Sequence, residues 1–335
     1  MILFKTGFLT LNLFTLILLA SFFVGFTKIH PSFYGLILFI IYIGFLYKTK
    51  EDWNILNNKE PGEKLFDLKD LYNFFSVVVG GLVTFFLAQE LGLTVVLASG
   101  LVGVISHLVL PKYEVPIFCG SFVGMASASL LPGYSYLAFA GIIAGIVYVL
   151  GKFSFNGFGG KLGTTAFIGC VLAAIFTGQE FVVSSIPQGS LAVQILIYSV
   201  IGAVLTFVLN VRLKNSAVIS SGLVGVLAAI ILPVIHPANG ATLAVMVYCA
   251  SFAGMSAKHR ISNELQMIIA GIIAGLIFIY TSPYLGGAGG KLGTTAFASV
   301  ITVNGLSIIF NRSTVKLRSR VLSRLPDMIN LKESS

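Results

Sequence analysis

Charged residues are scarce in this sequence, and their scarcity excludes an ordinary soluble domain. Only 10% of the 335 residues are charged, whereas 56% are hydrophobic and the mean hydropathy is +0.97. Soluble domains carry about 25% charged residues. Apolar runs such as 8–26, 75–89 and 191–209 are long enough, at about 1.5 Å per residue, to cross most or all of a bilayer core roughly 30 Å thick. The sequence therefore predicts an integral membrane protein.

Acidic residues are almost missing from the hydrophobic part of the chain. Between positions 71 and 326 there are only four, each at or near the end of a predicted span: Glu90, Glu114, Glu180 and Glu264. Carriers coupled to sodium or protons commonly place a carboxylate in mid-membrane to bind the cation, so this pattern argues against cation coupling. The spans also lack the clustered His, Asp and Ser residues of an intramembrane hydrolase, and we predict no enzymatic activity.

Cysteines are few and carry no recognisable chemistry. Cys119, Cys170 and Cys249 all lie inside apolar runs without metal-binding spacing, which disfavours a disulfide or a zinc site. We predict no cofactor and no metal. The formal charge of +9 is not a sign of nucleic-acid binding, because six of the 21 basic residues follow position 311 and most others flank spans. Anionic lipid headgroups and membrane topology explain this charge.

The sequence contains an internal duplication. Three blocks recur in the same order: "SGLVGV" at 99–104 and 221–226, "CGSFVGM" at 119–125 with "CASFAGM" at 249–255, and "GGKLGTTAF" at 159–167 and 289–297. From the cysteines onward, the offset between the copies is a constant 130 residues. The duplication predicts two halves built on one plan.

Each copy contains five hydrophobic segments, and two further spans precede them. The predicted spans are 7–26 and 32–47 at the start, then 71–89, 92–110, 115–132, 135–150 and 163–178, and finally 191–210, 216–235, 240–256, 264–282 and 293–311. Because five is odd, the second copy enters the membrane from the opposite face. The sequence thus predicts an all-α membrane protein of about twelve transmembrane helices. Its parts are two N-terminal helices with a cytoplasmic loop (1–70), a first repeat (71–180), a second, inverted repeat (190–311) and a basic cytoplasmic tail (312–335).

Basic residues support one orientation in the membrane. In a twelve-span arrangement, the loops near 48–69, 112, 152, 212–214 and 258–260 and the tail all fall on one side and carry lysine or arginine. Cytoplasmic loops are enriched in these residues. We therefore expect a multi-pass protein of the plasma (inner) membrane with both termini in the cytoplasm. Lys28 and Lys291 break the rule.

The repeated motif "GGKLGTTAF" predicts a binding site for an anion. In the first copy, the helix that follows the motif is too short to cross the membrane, so its N-terminus is expected at membrane depth. Free N–H groups, the positive end of the helix dipole, a lysine and two threonines would converge there. The predicted residues are Gly160, Lys161, Thr164 and Thr165 in the first copy and Gly290, Lys291, Thr294 and Thr295 in the second.

Structural explanations compete with this reading of the motif. Both lysines could extend to the membrane interfaces while the small residues pack helices closely. Ser121 and Ser251, in the repeated "SFxGM" segments, either line a pore or make such helix contacts. The motif also departs from a Walker phosphate loop, because leucine, not Ser or Thr, follows the lysine and no strand is predicted before it.

The function that fits best is a channel or secondary carrier for a small inorganic or organic anion. Inverted repeats are the construction of many secondary transporters, with the substrate site where the repeats meet. A channel for a small neutral solute and a non-transporting membrane subunit or scaffold are the alternatives. The expected partners are the lipid bilayer and the anion, and a homo-oligomer is compatible with this architecture.

Overall fold

The structure is a computed structural model that describes residues 2–30, 34–58 and 66–333, with side chains as far as Ser313. Part of the predicted cytoplasmic loop, residues 59–65, and the last two residues of the predicted basic tail lie outside this description.

The fold is all-helical, as predicted. The described ranges contain twelve α-helices: α1 (Ile2–Ile29), α2 (Tyr34–Asn57), α3 (Leu68–Gln89), α4 (Val95–Val109), α5 (Glu114–Gly124), α6 (Tyr134–Leu150), α7 (Lys161–Phe176), α8 (Gly189–Phe207), α9 (Ala217–Ile235), α10 (Gly240–Gly254), α11 (Glu264–Thr281) and α12 (Lys291–Glu333). A short π-helical turn, Val208–Arg212, continues α8. The β-type backbone pairing in the described ranges is limited to one isolated bridge between Val182 and Gly286.

Six helices are long and apolar enough to cross a membrane. They cover Leu3–Ile29, Leu68–Gln89, Gly189–Arg212, Ala217–Ile235, Glu264–Thr281 and Lys291–Ser313. Large apolar side chains on the outside of the bundle, such as Leu36, Leu108 and Val234, are exposed. Exposed large apolar side chains occur along nearly all the helices, and together with the six helices of spanning length they show a membrane-embedded molecule. Five apolar helices are shorter, α4, α5, α6, α7 and α10.

The same helix pairs pack together in both halves of the chain. In the first half α3 packs against α5 and α6, and in the second half α8 packs against α10 and α11. The halves contact each other where α4 meets α9 and where α7 meets α12. The N-terminal helix α1 lies against α6, α7 and α11, and α2 lies against α12.

Helix starts follow from local capping. Asp67 and Asp70 form a reciprocal capping box at the start of α3. Thr94, Ser216 and Asn263 each accept a backbone N–H in the first turn of α4, α9 and α11. These side chains satisfy donors that a helix N-terminus otherwise leaves unpaired.

Helix α5 ends earlier than the hydrophobic run suggests. The sequence predicts a span over 115–132, but the helix stops at Gly124. Beyond it, the Ser127 N–H donates to the Gly287 carbonyl of the other half, 2.9 Å away. The equivalent bond after α10 runs from the Ala257 N–H to the Gly157 carbonyl, also 2.9 Å. Contacts between the halves therefore replace helical bonds at these two ends.

Candidate functional site

Each copy of the motif turns the chain into a helix through a left-handed glycine. Gly160 precedes α7 with φ of +82°, and Gly290 precedes α12 with the same value. Glycine occupies this conformation without the penalty that a Cβ atom brings. The helices then begin at Lys161 and Lys291, so both lysines lie in the first turn.

The two motifs lie against each other at the centre of the molecule. A Cβ atom on Gly163 would overlap the Cα atom of Gly293, and a Cβ on Gly293 would overlap Gly163 in the same way. Thr164 and Thr294, one residue further along each helix, are fully buried, and each side chain donates to the carbonyl of its motif glycine. Close backbone approach therefore explains why these glycine and threonine positions are the same in both copies.

Each motif also rests on the end of a short helix from the other half. A side chain on Gly159 would overlap the carbonyl of Phe252, and one on Gly289 would overlap that of Phe122. The Gly159 N–H donates to Ser256 Oγ over 3.0 Å. The C-terminal ends of α5 and α10 thus support the motifs of the opposite halves.

Two cavities approach this centre from opposite ends of the bundle. The Lys161 cavity has a volume of about 990 Å³, and residues at the start of α3, such as Asp67 and Lys69, contribute to its wall. The Lys291 cavity has a volume of about 630 Å³, and Gln89 at the end of α3 lines it. Because α3 has 22 residues, or about 33 Å of helix, these walls lie far apart.

Aromatic rings separate the two cavities. Phe122 and Phe252 line both cavities, and their ring centroids lie 4.5 Å apart. Phe118 lies 4.5 Å from Phe122, and Tyr248 lies 4.6 Å from Phe252. All four side chains are at most 1% exposed. The rings form a buried layer between the two cavities, which we call the aromatic barrier.

Charges in the Lys161 cavity are mostly paired. Lys152 lies 2.7 Å from Asp70. Glu114 contacts His107 Nδ1 at 2.6 Å and accepts a hydrogen bond from Ser216 Oγ at 2.9 Å. The Lys161 ammonium instead donates to a neutral group, the side-chain oxygen of Asn156, at 3.1 Å.

The Lys291 cavity has a different composition. Among its described lining residues Lys291 is the only charged one. Its ammonium donates to two backbone carbonyls, those of Thr281 at 2.7 Å and Tyr284 at 2.5 Å.

The predicted site residues divide into two groups. Gly160, Lys161 and Thr165 line one cavity, and Gly290, Lys291 and Thr295 line the other. Thr164, Thr294, Ser121 and Ser251 lie on neither wall. Ser121 pairs with Ser99 at 2.8 Å and Ser251 pairs with Ser221 at 2.7 Å, and all four of these serines are fully buried. These two serine pairs match the helix-contact alternative for the "SFxGM" segments.

Sequence reasoning missed the aromatic barrier and Asn156. A signal for the barrier was present, because Phe122 and Phe252 are repeated within the "SFxGM" segments. Asn156 carries no such signal, since its counterpart at the 130-residue offset is Gly286.

The described cysteines pack against the motif helices. Cys119 Sγ lies 3.3 Å from the Leu162 carbonyl, and Cys249 Sγ lies 3.2 Å from the Leu292 carbonyl. Both cysteines are buried and unbonded to other cysteines. The described residues include no cluster of three or more His, Cys, Asp or Glu that could hold a metal ion.

Comparison with known proteins gives no relative: no family model, no curated protein and no solved structure matches the chain.

Proposed function

We propose that the protein is a membrane transport protein for a small anion. In this proposal the chain crosses the membrane about twelve times, and the two halves are inverted-topology repeats. Three observations support it: five helices in each half, equal packing partners in both halves, and cavities at opposite ends of α3. Transport sites at the meeting point of such repeats are common among secondary transporters.

The observation that carries the proposal is the arrangement of the two cavities. Each one ends at the aromatic barrier, and each holds one lysine from the repeated motif beside the start of a helix. Helix N-termini and lysines both favour negative charge, and a cavity within the protein strengthens their effect by excluding water. Such positions compensate an anion for part of the hydration that it loses on entering the membrane.

The distribution of basic residues gives the proposed orientation. Lys69 and Lys152 line the Lys161 cavity, and Lys112 lies just before α5, whose first residues line it too. Lysines concentrate on the cytoplasmic side of membrane proteins. We therefore place the Lys161 cavity toward the cytoplasm of the plasma (inner) membrane and the Lys291 cavity toward the outside.

A channel for a small neutral solute is the second candidate, and the aromatic barrier favours it. Phe122 and Phe252, the barrier rings that line both cavities, offer no hydrogen-bond donor, so an anion that passes between them loses hydration without replacement from these two side chains. A neutral solute loses less hydration free energy on the same path. The two functions differ in whether the motif lysines are required.

Flux into proteoliposomes tests both candidates. We would compare chloride, nitrate, formate and phosphate with urea and glycerol in the wild type and in the double variant Lys161→Gln/Lys291→Gln. Lys112→Gln is the matched control, because it removes an exposed lysine that lines neither cavity.

We expect protein-dependent flux of at least one anion that the control retains and the double variant loses. Flux of urea or glycerol that survives in the double variant would favour the neutral-solute channel. Absence of any protein-dependent flux would contradict both and leave the scaffold as the best alternative.

A further inference from the structure

The two motif lysines have different surroundings, although the motif itself is identical in both copies. The Lys161 ammonium donates to one side-chain amide, whereas the Lys291 ammonium donates to two main-chain carbonyls. A lysine ammonium has three donors. Lys161 therefore keeps two donors free of protein acceptors in the described part of the chain, and Lys291 keeps one.

Lys291 binds the C-terminal end of α11. That helix ends at Thr281, and its last carbonyls lack intrahelical partners. The C-terminal end of a helix carries partial negative charge, which a bound cation offsets. By donating to the carbonyls of Thr281 and Tyr284, Lys291 holds the loop between α11 and α12 in place. Its positive charge also offsets the negative end of α11.

The loop before Lys161 differs in sequence from the loop before Lys291, and it supplies a side chain instead of main-chain carbonyls as the partner of the lysine. At the position of Asn156, the second half has Gly286, which lacks a side chain; its backbone carbonyl instead accepts a hydrogen bond from the Val182 N–H at 3.0 Å. In the first half, the side-chain oxygen of Asn156 accepts a hydrogen bond from the Lys161 ammonium, whereas in the second half main-chain carbonyls accept from Lys291. The Asn156 side chain does not carry the partial negative charge of a helix C-terminus, so it offsets less of the Lys161 charge than the end of α11 offsets for Lys291.

Asn156 is itself fixed by a cation from the other half. Arg260 Nε donates to the Asn156 carbonyl at 2.9 Å, and the guanidinium lies 4.4 Å from the ring centre of Phe158. Asp52 lies 3.6 Å from the same guanidinium and balances its charge. Asn156 thus has a fixed backbone from which its side chain orients the lysine.

Other charged groups on the wall of the Lys161 cavity do not offer the same combination. Lys152 is paired with Asp70, and Glu114 is engaged by His107 and Ser216. Lys69 is exposed at the mouth. Lys161 is therefore the half-buried cation of this wall, which Phe122 and Phe252 also line, whose positive charge is not matched by a carboxylate contact among the described residues.

We propose that the anion binds in the Lys161 cavity only, on the Lys161 ammonium, with Asn156 as its positioning residue. Lys291 is a structural cap on α11. This assignment rests on the proposed anion function. It gives Lys161 and Lys291 different roles, although they occupy the same position in the repeated motif.

Thermal unfolding in detergent tests the assignment, with sodium nitrate, sodium formate and sodium phosphate titrated separately and sodium gluconate, a bulky anion, as the comparison at equal ionic strength. A ligand that binds only the folded protein raises its stability in proportion to RT ln(1 + [L]/Kd). The variants are Lys161→Gln, Lys291→Gln, Lys161→Arg and Asn156→Asp. The last is isosteric and places a carboxylate against the ammonium.

We expect at least one of the three anions to stabilise the wild type and Lys291→Gln with similar Kd, although Lys291→Gln unfolds at a lower temperature without ligand. The Kd should rise at least about tenfold in Lys161→Gln and in Asn156→Asp, because a charge-assisted hydrogen bond is lost or occupied. Lys161→Arg, which keeps the charge, should retain more of the response.

Two results would overturn the assignment. An unchanged response in Asn156→Asp or Lys161→Gln would remove Lys161 from the site, and loss of the response in a folded Lys291→Gln would make the lysines equivalent while leaving the anion function intact. If none of the three anions stabilises the wild type more than gluconate does at equal ionic strength, the anion function falls and the assignment falls with it. Should Lys161→Gln not fold, Asn156→Asp decides the outcome by itself.

Discussion

At the residue scale, the motif "GGKLGTTAF" combines packing positions and cavity positions. Gly159, Gly163 and Thr164 are buried where backbones from two halves approach closely. Lys161 and Thr165 lie on a cavity wall instead. Close packing explains why the buried glycine and threonine positions are the same in both copies of the motif, because a larger side chain or an unpaired hydroxyl would not fit there. Close packing does not explain why both copies keep a lysine.

The packing role of Gly163 leads to the first prediction. Gly163→Ala should lower the free energy of unfolding by about 1–3 kcal/mol, the range for overpacking a tight contact, because the new methyl group would overlap Gly293. The measurement is the unfolding midpoint in detergent.

Gly35→Ala is the matched control for Gly163→Ala. Gly35 is also helical, but a Cβ atom there meets nothing within 4 Å. Alanine favours helix over glycine, so this variant should be neutral or slightly more stable. Equal destabilisation by both substitutions would show that close approach at Gly163 is not the cause.

At the element scale, helix ends rather than helix middles connect the parts of the molecule. The C-terminal end of α2 carries Lys48 and Asp52, which lie 3.0 Å apart and are both buried. Asp52 also contacts Arg260, in the loop between α10 and α11. Lys48 and Arg260 both approach the ring of Phe158, just before the first motif. The N-terminal helices therefore hold the loop that leads into the Lys161 cavity.

This ionic cluster gives the second prediction. Asp52→Asn keeps the shape of the side chain but leaves Lys48 and Arg260 without their shared carboxylate. Breaking a buried ion pair costs about 3–5 kcal/mol, and we expect about 3 kcal/mol because Lys48 keeps Glu51 at 2.7 Å. Chemical or thermal unfolding in detergent measures the loss.

Glu264→Gln provides the comparison for Asp52→Asn. Glu264 pairs with Arg212 at 2.6 Å, but both side chains are well exposed. Solvent screens such pairs, so this substitution should change stability little. A large loss for Glu264→Gln, or none for Asp52→Asn, would contradict the claim that burial makes the α2 cluster important.

At the scale of the whole molecule, the proposed inverted arrangement makes the two ends of the bundle chemically different. The described wall of the Lys161 cavity has three acidic and three basic residues, whereas Lys291 is the charged residue described on the other wall. Val183, on the α7–α8 connection beside the Lys291 cavity, is 79% exposed. Lys112, between α4 and α5, is exposed at the other end.

Labelling from one side of the membrane tests this orientation. Val183→Cys should react with a membrane-impermeant maleimide in intact cells, and Lys112→Cys should react only after the membrane is permeabilised. The background should be low because the three native cysteines are buried. Labelling of both positions in intact cells, or the reverse pattern, would contradict the proposed topology.

The sequence by itself determined the helical membrane-embedded class and most helix positions. Hydrophobic runs long enough to span a bilayer have few other stable solutions, because backbone groups in lipid must bond within their own helix. The predicted starts of the spans at 163 and 293 lie two residues after the starts of α7 and α12 at Lys161 and Lys291, and the glycine-rich stretch before each start is local in sequence. These features depend on short stretches of chain and are therefore readable without the fold.

Tertiary structure alone decided which motif residues lie on a cavity wall. Thr164 and Thr165 are neighbours in one helix, yet only Thr165 faces a cavity, because Thr164 lies at the contact between the two motifs. The end of α5 at Gly124 and the meeting of Phe122 with Phe252 depend on contacts between residues that are at least 130 positions apart in the sequence. The unequal partners of Lys161 and Lys291 likewise come from loops outside the identical motif, so no inspection of the motif could reveal them.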